Sequence, residues 1–208
     1  MLLELMQSRR SIRKFLPRMP ERSLLERLVQ AAVSAPSASN KQPWRFLIVS
    51  NVELKARMAA MVREAVERVA AHIEPQFEGA FRAYGDYFTR FESAPVVIVP
   101  LYRALTLLSP MVDPKLSARD RQNILLMENQ SGLVSTSLAV ENLLLMAHEA
   151  GLGASGLTGP LIAADDLRSI LAVPEGWGIV ALVAVGYPDE QPQATARKAA
   201  ETVTRWIV

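Results

Sequence analysis

The densest chemistry in the sequence is the run Ser8-Arg9-Arg10-Ser11-Ile12-Arg13-Lys14-Phe15, three arginines, a lysine and two hydroxyls. Guanidinium forks meet phosphate or carboxylate oxygens through paired charge-assisted hydrogen bonds, so the run points to one small anion. A second stretch, Ala35 to Phe46, holds Pro36, Ser37, Ala38, Ser39, Asn40 and Gln42 ahead of Pro43-Trp44. Pro36 and Pro43 each restrict the residue before them, which makes this polar loop a stiff cradle for a planar polar ligand. A third, Gly151 to Pro160, is rich in glycine and lets backbone approach a ligand closely. It lacks both a preceding strand and the Gly-x-Gly-x-x-Gly order, and so is no dinucleotide fingerprint. The plainer readings are a solvated basic face at a helix end for the first run, a capped surface loop for the second and a helix terminator at Gly151.

Composition removes several classes of function. The absence of cysteine excludes disulfides, thiolate zinc sites and cysteine nucleophiles. His72 and His148 lie far apart, so no histidine metal site is expected. A net charge of +2 is too small for a general nucleic-acid surface. No apolar run approaches the ~18 uncharged residues of a membrane span, and the early basic cluster follows its apolar residues, the reverse of a signal peptide. A cytoplasmic protein with no membrane partner is expected. The 208 residues suit one domain, 1–208, without repeats or a dividing linker.

The elements that must position these groups follow from periodicity. Leu24, Leu25, Leu28, Val29 and Ala32 predict an amphipathic helix from Pro20 to Ala32, ahead of the polar loop. Trp44 to Ser50 reads as a strand, and Asn51 caps the helix after it. Phe77, Phe81, Tyr84, Phe88 and Phe91 form a helical aromatic stripe, read as core or subunit interface, with one or two rings available to border a substrate opening. Ala94 to Leu101 predicts a buried strand. Arg103 to Arg119 shows no period and, at that length, suggests a functional or mobile loop. Arg121 to Ala150 predicts a long apolar helix interrupted near Gly132; Asp165 or Asp166 caps a short helix through Leu171, and Gly178 to Tyr187 predicts a strand. Pro188 to Ala196 reads as a surface tail. Alternating helices and strands favour a sheet with helices on both faces.

Arg9-Arg10-Ser11-x-Arg13, Pro36-Ser37-x-x-Asn40-x-Gln42-Pro43-Trp44, the glycine-rich segment, Val185-Gly186-Tyr187-Pro188 and Arg197-Lys198 together resemble the nitroreductase family of flavin enzymes over nearly the whole chain. The resemblance implies an α+β, three-layer fold with a central mixed β-sheet flanked by helices. It also implies an intertwined homodimer, with flavin sites at the subunit interface. It implies FMN as cofactor, NAD(P)H as electron donor and a small-molecule electron acceptor such as a nitroaromatic or quinone, in a ping-pong reaction. Arg9, Ser11 and either Arg197 or Lys198 would meet the phosphate, Arg10 the ribityl end and Arg13 the pyrimidine edge. Pro36, Ser37, Ala38 and Asn40, supported by Gln42, would come from the second subunit, and Leu157, Thr158 and Gly159 would pass the reactive flavin nitrogen. No catalytic side chain and no metal are implied. Other outcomes of the same resemblance are reductive dehalogenation, oxygen-dependent flavin cleavage, or a flavin-binding dimer without turnover.

Overall fold

The computed structural model describes all residues 1–208. Helices α1 (Leu2–Ser8) and α2 (Arg22–Val33) precede β1 (Trp44–Val49), α3 (Val52–Ala70), α4 (Pro75–Gly85) and β2 (Val96–Arg103). Then follow α5 (Ala118–Glu149), β3 (Gly153–Leu157), α6 (Ala164–Ile170), β4 (Trp177–Ile179), β5 (Leu182–Gly186) and α7 (Ala200–Val203). The sheet runs β1-β2-β5-β3, with β4 also paired to β2. Its ladders are antiparallel, and a parallel bridge joins Ser11 to Ala154. The expected α+β fold with a mixed sheet is therefore what forms.

The two central strands are buried on both faces, and the strand period distributes their side chains between two cores. Val97, Val99, Leu101, Leu182 and Ala184 pack toward α3 and α6, whereas Val96, Ile98, Val183 and Val185 pack toward α2 and α5. Helices on both sides of the sheet give the three layers.

Several local expectations are corrected. The α2 helix starts at Arg22, after Pro20. The α5 helix runs through Gly132 unbroken, because that glycine is a contact point: a Cβ there would lie 2.0 Å from the Arg103 carbonyl oxygen. The aromatic stripe is not one helix, since α4 ends at Gly85 and a 3-10 turn, Asp86–Thr89, carries Phe88. The strand expected from Gly178 to Tyr187 divides at Val180-Ala181. Between the pairs Ile98↔Val183 and Leu101↔Ile179, two residues of β2 face three, which is a β-bulge beside Pro100. Asp165 and Asp166 sit inside the first turn of α6 and do not cap it. The cap at Asn51 is present, its side chain accepting from Leu54 N–H at 2.8 Å. Gly151 (φ 72°) ends α5, with Leu152 N–H donating to Ala147 O at 2.8 Å.

Candidate functional site

The basic run leaves α1 as an extended segment that lies along β3. Ile12 N–H donates to Ala154 O at 3.1 Å, and Leu16 N–H donates to Tyr187 O at 2.9 Å. Glu190, from the tail after β5, accepts from the backbone N–H groups of Arg13 and Lys14, the latter at 3.0 Å. The segment is thus held between strand and tail, and its side chains need no role in fixing it.

Arg9, Arg10, Ser11, Arg13 and Arg197 line one cavity of about 550 Å³, closed on one side by Pro192 to Thr195. Lys198 does not line it. The Arg9 Nε is buried without a hydrogen-bond partner, and its nearest carboxylate, on Glu141, is 4.0 Å away. The Arg9 side chain as a whole is 19% exposed and its terminal nitrogens make no hydrogen bond within the chain, so these, and not the shielded Nε, are the donors it offers to the cavity. Arg10 is partly committed: it donates to Gln7 O at 2.7 Å and to Arg9 O at 2.8 Å, closing the end of α1. Ser8 Oγ and His148 Nε2 are 2.8 Å apart and line an adjoining cavity of about 410 Å³ together with Arg9 and Arg10. Burial, then the charges of Arg9 and Arg10, lower the His148 pKa and hold the ring neutral.

Arg13 also borders a second, smaller cavity of about 190 Å³, with Leu157, Thr158, Gly159, Tyr84 and Tyr87. It therefore joins the basic cavity to the glycine-rich segment. Gly159 allows a close approach there, because a Cβ would lie 2.1 Å from the Phe88 ring and force it to shift.

Pro36, Ser37 and Ala38 lie elsewhere, on a groove of about 530 Å³ whose floor is the apolar face of α5, including Leu126, Met127, Val134 and Leu138. One chain does not bring this loop to the basic cavity. Its conformation is nonetheless specific. Ser39, Asn40 and Gln42 adopt φ of 51°, 51° and 47°, left-handed values that cost non-glycine residues on the order of 1 kcal/mol each. Ser37 Oγ accepts from Gln42 N–H at 3.0 Å, Gln42 Nε2 donates to Asn40 Oδ1 at 3.3 Å, and Ala38 N–H donates to Ser135 Oγ at 3.3 Å. Asn40 and Gln42 brace the loop and remain exposed.

Two acidic residues escaped the sequence reading. Glu190 had no visible signal beyond being an acid in the tail that follows the last strand. Glu128 is 2% exposed on α5 and accepts from the backbone N–H groups of Leu107, Leu108 and Ser109 at 2.6, 2.6 and 3.0 Å. Burial opposes its ionisation, but those donors outweigh it and set the pKa at about 2. The aperiodic 104–117 segment is thus pinned to α5. No cluster of three or more potential metal ligands is present, and no helix is long and apolar enough to cross a membrane.

The chain is 32% identical over 190 residues to an iodotyrosine deiodinase of Haliscomenobacter hydrossis, covering 90% of this chain and 79% of that protein. Its fold superposes on a BluB-like flavoprotein from Clostridium difficile 630 with a TM-score of 0.86 at 22% identity, covering 100% of this chain and 99% of the other. It also superposes on a nitroreductase with bound FMN from Desulfitobacterium hafniense DCB-2, with a TM-score of 0.72 at 22% identity and coverage of 100% and 98%. The sequence profile described as the nitroreductase family matches residues 6–187. By that match over most of its length, the chain belongs to the nitroreductase family.

Proposed function

We propose that this protein is an FMN-dependent oxidoreductase that takes reducing equivalents from NAD(P)H and passes them to a quinone or nitroaromatic acceptor. The observation that carries the reading is the convergence of Arg9, Arg10, Arg13, Arg197 and Ser11 on one cavity. That donor set fits a phosphate dianion, and Arg13 leads from it to a backbone segment suited to the edge of a flat ring.

A flavin held by these residues would supply the hydride chemistry between a nicotinamide donor and the acceptor. The chain binds and orients. Arg9, Ser11 and Arg197 hold the phosphate, and Arg10 reaches toward the polyol. Arg13 places a cation at the polar ring edge, where negative charge on the reduced form is stabilised. Leu157, Thr158 and Gly159 offer backbone at the reactive side. Lys198 lies outside the cavity and is given no part in it. No side chain is required as a nucleophile.

Pro36, Ser37, Ala38 and Asn40 cannot reach this site within one chain, and the apolar face of α5 beside them is exposed. In our reading a second copy covers that face, so a homodimer in the cytoplasm carries two sites, each completed by the other copy's loop. The exposed terminal residues Trp206 and Ile207 fit such an exchange. A second reaction, reductive dehalogenation, is favoured by the 32% identity to an iodotyrosine deiodinase.

The test is the visible spectrum of the purified protein, first aerobic and then anaerobic with excess NADPH. A two-band flavin spectrum bleached by NADPH and restored by menadione is expected. A colourless protein that does not take up added FMN refutes the reading. Iodide release from 3-iodotyrosine, with no quinone reduction, moves the reaction to dehalogenation.

A further inference from the structure

The cavity of about 410 Å³ beside the phosphate cavity has no part in the proposed reaction. Arg9, Arg10 and Pro192 line both spaces, so an anion held by the two arginines borders each of them. We propose that this second cavity receives the adenosine monophosphate half of a dinucleotide flavin, so that the protein takes FAD as well as FMN, an inference that rests on the proposed flavin site.

A ligand whose phosphate meets Arg9 in the first cavity enters the second by extending that phosphate, and a diphosphate is the extension that arginines reward. Donors remain for it. Only Nη1 of Arg10 is spent on the end of α1, which leaves its Nη2 and Nε together with the terminal nitrogens of Arg9. Beyond the arginines the lining changes character. Ile12, Leu144 and Pro188 offer apolar surface to the faces of a purine, while Glu190 and His148 offer polar edges. Glu190 uses Oε1 for the Arg13 and Lys14 amides, and its other oxygen is free to accept from ribose hydroxyls. His148 meets Ser8 through Nε2, and its Nδ1 is free. Burial and the neighbouring arginines keep that ring neutral, so it adds no charge to a space meant for a nucleoside. The outer wall is fixed. Asp189 N–H donates to Lys14 O at 3.0 Å, and a bridge joins Phe15 to Pro188, so the tail is held against the basic run. Small-molecule sites run from roughly 300 to 1,000 Å³, and this cavity falls within that range.

The experiment titrates the full-length, flavin-free protein with FMN and with FAD, following flavin fluorescence, in the wild type and in Leu144→Trp and Gln191→Trp. Each variant places an indole in the second cavity and leaves the arginines untouched. The wild type should bind FAD within about tenfold of FMN, and a larger deficit overturns the assignment. Each tryptophan should raise the ratio of the FAD to the FMN dissociation constant about tenfold, with FMN itself within about threefold of the wild type. A ratio unmoved in both variants overturns the assignment. A third readout needs no variant. Nucleotide pyrophosphatase hydrolyses FAD between its phosphates to FMN and AMP, and FAD bound to the wild type should be cut more slowly than free FAD. Cleavage at the free rate means that the adenosine hangs in solvent, which also overturns the assignment. The wild-type ratio and the cleavage rate decide the matter even where a tryptophan disturbs the fold. Failure of FMN to bind the wild type strikes the proposed function itself, whereas FMN binding with FAD excluded strikes only the second cavity.

Discussion

Replacing Glu128 with glutamine tests how the 104–117 segment is held. The carboxylate accepts three backbone N–H groups through one oxygen, while its other oxygen, Oε2, is buried without a partner. A hydrogen bond to a charged acceptor contributes about 1.5–3 kcal/mol. Three donors sharing one oxygen do not add fully, and the amide oxygen of glutamine retains weaker bonds. Its NH₂ group, placed where Oε2 lies, has no acceptor to meet. Glu128→Gln should therefore cost about 2 kcal/mol, or about 4–8 °C in Tm for a chain of this length. The pH dependence supplies a signature. A folded pKa of about 2, against an ordinary value of 4.5, means that the stabilisation is full above pH 4.5 and is lost as pH falls toward 2. The difference between wild type and variant should narrow over that window. Thermal melts from pH 7 to pH 3 and hydrogen exchange at Leu107, Leu108 and Ser109 check both parts. Equal Tm values at pH 7, or a difference that stays constant to pH 3 with exchange unchanged, would refute the pinning role.

Three further outcomes are expected. Arg9→Ala should weaken FMN by about ten- to hundredfold in a fluorescence titration, since a charged hydrogen-bond donor is removed from the proposed phosphate site; unaltered binding removes Arg9 from it. Gly159→Ala puts a methyl group against the Phe88 ring, and the shift it forces should cost about 1–3 kcal/mol in urea denaturation, a neutral result meaning that Phe88 is not seated there. His148 is held neutral by burial and by Arg9 and Arg10, so its folded pKa lies below 6.5; its contribution is full above that value and falls away as pH drops below it. His148→Gln should flatten that part of the apoprotein's pH–stability curve, as measured by urea midpoints, and an unchanged slope would contradict the assignment.

The central strands were legible because residues buried on both faces must be apolar without interruption, as in Val96-Val97-Ile98-Val99. Asn51 and Gly151 were legible because a helix end needs a nearby acceptor or a left-handed residue, and both requirements are local. The arginine run was legible as a candidate anion site because four cations in six residues repel one another unless something answers them. Strand β3 was hidden, since Gly153-Ala154-Ser155-Gly156-Leu157 has weak strand propensity and is fixed only by β5 on one side and Ser11 on the other. The division at Val180 was hidden because a bulge depends on the partner strand, here at Pro100.

By itself, then, the sequence determined the chemistry on offer and the elements that carry it, because residue type and short-range periodicity are written in adjacent positions. Only the tertiary structure decided which groups meet. It brought Arg197 to the cavity of Arg9 while leaving Lys198 outside, set Glu128 beneath three amides of a distant loop, and placed Tyr84 and Tyr87 beside Arg13 and Thr158. Each meeting joins residues far apart in the chain. Such contacts follow from how two apolar cores close on one sheet, which no local pattern encodes.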